Sequence, residues 1–191
     1  MRKLIAAINM SLDGFFDHTA MSADDEIHRH YKDLINSADA ILYGRITYQL
    51  MEYWLPFVKN PSGNKSSDEF AVAIDRIPKI VFSHTLKNDP KGLGWASARL
   101  ATKSLEEEAL ALKQQTGKDV LVGSRSLIVA LLNLGLIDEF QLCVHPTIVA
   151  SGSRLLENVS ERIDLKLLKT KLFSSSGAML SYYEPVKRAD R

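Results

Sequence analysis

Cysteine is almost missing from this chain: Cys143 is the only one in 191 residues. A single thiol excludes an internal disulfide and any zinc site built from several cysteines. It fits a reducing, cytoplasmic setting, and within "FQLCVHP" it reads as a small buried hydrophobe. No stretch approaches the roughly 18 consecutive apolar residues of a membrane span. Arg2 and Lys3 precede an apolar run, as in a signal peptide. That run is short, however, and ends in Ser-Leu-Asp-Gly without a small-residue cleavage pattern, so it reads as a first strand. Excess charge is missing too: 24 Lys and Arg stand against 23 Asp and Glu, a net charge of +1. This gives no support to nucleic-acid binding, which shows as a clustered basic surplus. Neither G-x-G-x-x-G nor G-x-x-x-x-G-K-[ST] occurs, so a nucleotide would have to be held in some other way. His28 and His30 are two residues apart and do not share a helical face, so no metal site is expected.

What remains is an ordinary globular composition, 46% apolar and 25% charged, in a chain long enough to bury a core as one domain spanning 1–191. Apolar strands alternate with amphipathic stretches. Residues 3–9 read as a strand. "SADDEIHRHYKDLINSAD" reads as a helix with Ser22 as N-cap and Ile27, Tyr31, Leu34 and Ile35 on one face. Residues 40–43 form a second strand, and "TYQLMEYW" a short helix ended by Pro56. "NPSGNKSS" reads as a loop, and "DEFAVAIDRI" as a brief helix. "KIVFS" and "WASARLA" are strands. "SLEEEALALKQQTG" is a helix with a capping box between Ser104 and Glu107 and Gly117 at its end. "DVLVG" is a strand, "SRSLIVALLNLG" a helix, and "LIDEFQLCVHPTIV" a long strand. The last segment, "ERIDLKLLKTKLFSSSGAMLSYYEP", reads as a hairpin turning at Ser-Ser-Ser-Gly. The pattern predicts an α/β fold: a mostly parallel sheet, helices on both faces, and an antiparallel C-terminal hairpin.

Three strand ends share a chemistry. "AILY" runs into Gly44-Arg45-Ile46-Thr47, "KIVF" into Ser83-His84-Thr85, and "DVLV" into Gly123-Ser124-Arg125-Ser126. In open α/β sheets, ligands bind beyond the carboxyl ends of the parallel strands. Helix N-termini offer unpaired amides and a partial positive charge, and glycine admits a phosphate close to the backbone. Arg45 and Arg125 can fork onto phosphate oxygens. One such junction reads as an ordinary turn, and Ser83 and Thr85 alone as turn residues. Three on a common rim point to a phosphorylated ligand.

These segments resemble the dihydrofolate-reductase-like superfamily, and most nearly its RibD C-terminal family, the reductase domain of bifunctional riboflavin-biosynthesis proteins. The resemblance rests on "MRKLIAAINMSLDG", "ADAILYGRITYQLM", "KIVFSHTL", "VLVGSRSLIVALLNLGLIDEF" and "GAMLSYYEP". It implies a dihydrofolate-reductase-like fold, and NADPH-dependent hydride transfer to a small pterin- or pyrimidine-like heterocycle. A homodimer and a small-molecule substrate, with no nucleic-acid or membrane partner, are implied as well. By the same resemblance, Gly44, Arg45 and Thr47 meet the cofactor diphosphate, and Ser83, His84 and Thr85 its adenosine ribose and 2′-phosphate. Val122, Gly123, Ser124, Arg125, Ser126 and Leu127 lie beneath the diphosphate and nicotinamide half, with Ala7 near the carboxamide. Val122 departs from the glutamate that riboflavin-pathway members often carry there. No zinc deaminase signature is present. For the reacting end, the candidates are Asp13 of "SLDG", Asp25 on the first helix (or its neighbour Asp24), and Tyr48. Asp13 also reads as a turn residue and Asp25 as a helix-start acid. Residues 13–31 and 48–57 are expected to form the substrate pocket, with 14–22 as a lid. Two other readings stay open: an authentic dihydrofolate reductase, and a catalytically idle nucleotide-binding module.

Overall fold

A computed structural model describes residues 1–16, 19, 21, 23–86 and 92–186. Among the described residues, eight strands form one sheet: β1 (Leu4–Ser11), β2 (Ala38–Gly44), β3 (Lys79–Phe82), β4 (Ala98–Leu100), β5 (Asp119–Val122), β6 (Glu139–His145), β7 (Leu165–Leu172) and β8 (Met179–Pro185). Their order is β4-β3-β2-β5-β1-β6-β8-β7. The first six run parallel, while β8 pairs antiparallel with both β6 and β7. The expected α/β class, with helices on both faces and an antiparallel hairpin at the end, is the fold observed.

The helices are α1 (Asp25–Asn36), α2 (Arg45–Met51), α3 (Leu55–Lys59), α4 (Lys65–Arg76), α5 (Leu105–Gln114) and α6 (Arg125–Asn133), with a 3₁₀ turn over Glu52–Trp54. α5 and α6 bury Ala109, Leu112, Ile128 and Leu131 against one face of the central strands. On the other face α1 and α4 bury Ile35, Phe70 and Ile74 against Ile41 and Leu121. Central parallel strands are covered on both sides, which is why "AILY" and "DVLV" are runs of apolar residues instead of alternating ones. Cys143 is fully buried beside Ile27 and Phe173, and burial pushes its thiol up to about 12. Among the described residues, no helix is long and apolar enough to cross a membrane.

Three boundaries differ from the sequence reading. Pro56 does not end the second helical segment; it sits in the first turn of α3, where its missing N–H has no partner to lose. α4 starts at Lys65, inside the expected loop, because the Asn64 side chain accepts from the Ser67 amide. β6 stops at His145, since Pro146 cannot continue the ladder. The capping box on α5 is complete, with Ser104 and Glu107 each bonding the other's backbone amide. Ser22 lies outside the described residues, and the cap of α1 is Asp24, whose carboxylate accepts from Ile27 N at 2.9 Å.

Candidate functional site

The strand order decides where the three junctions lie. β3, β2 and β5 are immediate neighbours, so their carboxyl ends adjoin on one rim, with Gly44 beside Phe82 and Leu42 beside Val122. The first and third junctions touch: the Gly44 amide donates to Ser124 Oγ at 2.8 Å, and Ser124 is buried. A Cβ on Gly44 would stand 3.4 Å from Ser126 Oγ, so the glycine keeps its face of the rim open. A Cβ on Gly123 would come within 2.7 Å of the Tyr43 ring, so only glycine lets that ring lie against the backbone.

Capping separates α2 and α6 from α1, α4 and α5. The N-termini of α1, α4 and α5 are closed by the side chains of Asp24, Asn64 and Ser104. α2 and α6, the two that leave the rim, have no side-chain cap. Ser124, placed to cap α6, points its oxygen at Gly44 instead. The first-turn amides of Arg125, Ser126 and Leu127 therefore keep their affinity for an anion. Arg45 is exposed beside them, and among the described residues its side chain bonds along its own helix to Gln49 at 3.1 Å.

Other parts of the expected cradle are engaged otherwise. Arg125 donates from Nε to the Arg154 carbonyl at 2.7 Å and from Nη2 to Glu157 at 3.0 Å. Its guanidinium braces the segment after β6 and is not a free phosphate fork. Ser83 Oγ accepts from Thr85 N and Leu86 N, closing a turn, while His84 and Thr85 are exposed at the outer end of the rim.

Next to α2 and α6 lies a cavity of about 530 Å³. Its floor is formed by Ala7 and Asn9 of β1 and by Val122 and Gly123 after β5. Thr47, Tyr53 and Trp54 close one side, His28 and Tyr31 of α1 another, and His145 the far end. The ring of His28 meets the edge of Trp54 at 5.5 Å and lies 5.8 Å from Phe70. Tyr31 donates its hydroxyl to Asn9 Oδ1 at 3.0 Å, and His145 Nε2 lies 3.1 Å from the same oxygen. Burial raises the Tyr31 phenol well above its ordinary value and lowers both His28 and His145. Asp25 and Asp24 oppose the shift at His28, and Asp24 that at His145, without reversing it. A larger hollow, about 770 Å³, sits at the opposite ends of the strands around Lys113 and Asp138. Those two form an ion pair with each other, and that end of a parallel sheet presents no helix N-termini aimed at a common point.

None of the three candidates for the reacting end faces this cavity. Tyr48 is fully buried; its hydroxyl accepts from Trp95 N at 3.3 Å and its ring packs edge-on against Trp95. The helix that carries it turns the position inward, so it belongs to the core. Asp25 accepts from Ser66 Oγ at 2.6 Å and Asn64 Nδ2 at 3.1 Å, tying α1 to α4 on the surface. Asp13 accepts from Ser11 Oγ at 2.6 Å and from the amides of Val149 and Ala150 at 3.2 and 2.8 Å. The Ser11 hydroxyl, then the two amides, hold its carboxyl down at about 2. It latches the loop after β6, where Ala150 has a φ of 67°. The expected lid is anchored at its start: Phe15 is buried, bridged to Arg154, with the Arg154 guanidinium 5.2 Å above its ring. Phe16 lines the cavity, and residues 17, 18, 20 and 22 lie outside the described residues. The expected pocket segments do contribute Met21, His28 and Tyr31 from one side and Leu50, Met51 and Trp54 from the other. Asn9 and His145 carried no sequence signal, because they meet only through the parallel pairing of β1 with β6.

The chain matches the RibD C-terminal domain over residues 2–177. It is 33% identical over 186 residues to a Bacillus subtilis protein designated uncharacterized protein YyaP, covering 95% of each. A pyrimidine reductase-like protein from Corynebacterium diphtheriae superposes with a TM-score of 0.71 at 18% identity, over 97% of this chain and 92% of that one. Dihydrofolate reductase from Enterococcus faecalis, solved with NADP(H), superposes with a TM-score of 0.62 at 12% identity, over 97% of each chain.

Proposed function

Because the chain belongs to the RibD C-terminal domain family, we propose that it is an NADPH-dependent reductase of a small ring compound. The observation that carries this reading is the pair of uncapped helix starts at adjoining strand ends, opening beside a largely apolar cavity. Anion-binding amides next to a dry hollow are what a dinucleotide and its substrate need together. The first-turn amides of α6 and the Gly44–Thr47 segment would hold the diphosphate. Arg45 supplies an exposed guanidinium; His84 and Thr85 suit the adenosine ribose and its 2′-phosphate. Ala7, Val122 and Gly123 form the floor for the nicotinamide. The bound cofactor supplies the hydride; the protein orients the two rings and keeps water out. A cation and hydroxyls, with no acid among the described residues of the Ser83–Thr85 junction, favour NADPH over NADH.

The test is calorimetric titration of the full chain with NADPH and NADH. NADPH should bind, and more tightly than NADH. Arg45→Ala should weaken NADPH by about tenfold, the loss of one charge-assisted contact. No heat with either nucleotide at millimolar concentration would overturn the reading, and an unchanged affinity in the variant would remove Arg45 from it.

A further inference from the structure

The substrate end of the cavity has a character of its own, and what it selects rests on the reductase reading above. Among the described residues that line it, none is Lys, Arg, Asp or Glu. Of the described acids next to lining residues, Asp24 uses one oxygen to cap α1 while its other oxygen is buried, Glu52 accepts from the Gly94 amide and Glu69 pairs with Lys32; none of the three lines the cavity. Among the described lining residues, a phosphate or carboxylate entering here would meet no cationic side chain of Lys or Arg, and a cationic ring would meet no carboxylate. Stripping a charge of its water in this way is strongly unfavourable. The walls instead present flat apolar surface from Phe16, Trp54 and Phe70.

The polar groups present are neutral, and they are arranged. Two groups converge on Asn9 Oδ1: the Tyr31 hydroxyl, and the Nε2 of His145. With its carbonyl so occupied, the Asn9 amide finds no acceptor among the described residues, while Asn9 itself lines the cavity. A pinned side-chain N–H₂ in an apolar hollow is a donor waiting for one acceptor. The volume, about 530 Å³, lies within the roughly 300–1,000 Å³ of small-molecule sites.

We propose that this site selects an uncharged, flat, mostly apolar ring compound whose carbonyl or ring nitrogen accepts a hydrogen bond from the Asn9 amide, and that it rejects phosphate- and carboxylate-bearing substrates. Two features speak for the class: the aromatic walls and the oriented Asn9 amide. The burial that keeps His28 and His145 neutral works in the same direction, since neither offers a cation at neutral pH.

The test uses two ligands with the same bicyclic ring, 2-quinolone and its 4-carboxylate, titrated calorimetrically into the full chain with and without NADP⁺. The neutral lactam should bind at least about tenfold more tightly than the carboxylate. Asn9→Leu should weaken the lactam by about five- to tenfold, the effect of one buried hydrogen bond. Leu50→Arg, a partly exposed position on the cavity rim, should raise the carboxylate's affinity by about tenfold and leave the fold intact. That variant decides the matter if Asn9→Leu does not fold. Carboxylate binding as tight as the lactam's, no binding of either at millimolar concentration, or a lactam affinity untouched in folded Asn9→Leu would each overturn the proposal. The NADP⁺ titration reports separately on the cofactor. Lactam selectivity without nucleotide binding would sink the reductase reading and leave the selectivity standing, and the converse result would do the opposite.

Discussion

Replacing Gly44 with alanine separates a phosphate seat from an ordinary strand-to-helix turn. The backbone there has φ −79° and ψ 160°, which any residue adopts, so alanine introduces no strain. Its methyl would lie 3.4 Å from Ser126 Oγ and 3.8 Å from the nearest Ser124 atoms, ordinary contact distances. Removing a glycine from such a position stabilises the fold by about 0.4–1 kcal/mol through the unfolded chain. For a chain of this size that corresponds to roughly 1–4 °C in Tm. The same methyl projects toward the hydroxyls at the start of α6, where the diphosphate is proposed to approach the backbone. NADP⁺ affinity should therefore fall about 10- to 100-fold, roughly 1.4–2.7 kcal/mol, while the melting temperature holds or rises. Differential scanning fluorimetry gives the first quantity and calorimetric titration the second. Gly123→Ala is the contrast. Its methyl would meet the buried Tyr43 ring at 2.7 Å, and forcing that ring aside costs about 1–3 kcal/mol, so this variant should melt lower. An unchanged NADP⁺ affinity in Gly44→Ala would refute the phosphate role of this junction.

Two further expectations concern stability and assembly. His30 has a buried Nε2 without a partner among the described residues; it is packed on Tyr31, Phe173 and Tyr182 and faced by Lys169, Lys171 and Asp33. Burial, reinforced by Lys171, lowers it from 6.5 to about 4. The unfolded chain takes up a proton below about pH 6.5 that the folded chain refuses, so stability is full above that pH and declines toward pH 4. At pH 5 the loss is at most about 2 kcal/mol, nearer 1 after solvent screening of the partly exposed ring. Urea midpoints at pH 7.5 and 5 should draw closer in His30→Phe, and an identical drop in both proteins would refute the assignment. The hairpin carries the surface we propose for the expected homodimer. β7 is exposed along its whole length, with Leu167 52%, Leu172 63% and, on β8, Met179 49% exposed. Together with Leu165 and Leu168 these side chains make an exposed apolar row at the edge of the sheet, the kind of surface that marks a protein–protein contact. Light scattering should give twice the chain mass for the wild type and a monomer for Leu167→Glu with Leu172→Glu; a monomeric wild type would refute it.

Some of this was legible in residue order and some was not. Strands and helices follow from period and capping, which are local: "SLEEEAL" carries its own capping box, and "AILY" and "DVLV" read as buried strands wherever they pack. The rim was legible for the same reason, because a carboxyl strand end and the glycine after it are neighbours in the chain. What a side chain does once placed is different. Tyr48, Asp13 and Asp25 are the residue types a reacting centre uses, yet each is engaged by partners up to 137 positions away. Arg125 reads as a phosphate ligand until Arg154 and Glu157 arrive beside it.

The sequence by itself determined the α/β alternation, the antiparallel end and the three strand-end junctions, since hydrophobic period and turn chemistry act over a few residues. Only the tertiary structure decided which polar groups face the cavity. Asn9, Tyr31 and His145 meet because β1 pairs with β6 and α1 packs across them. Contacts of that kind depend on sheet order and helix rotation, which no local pattern encodes.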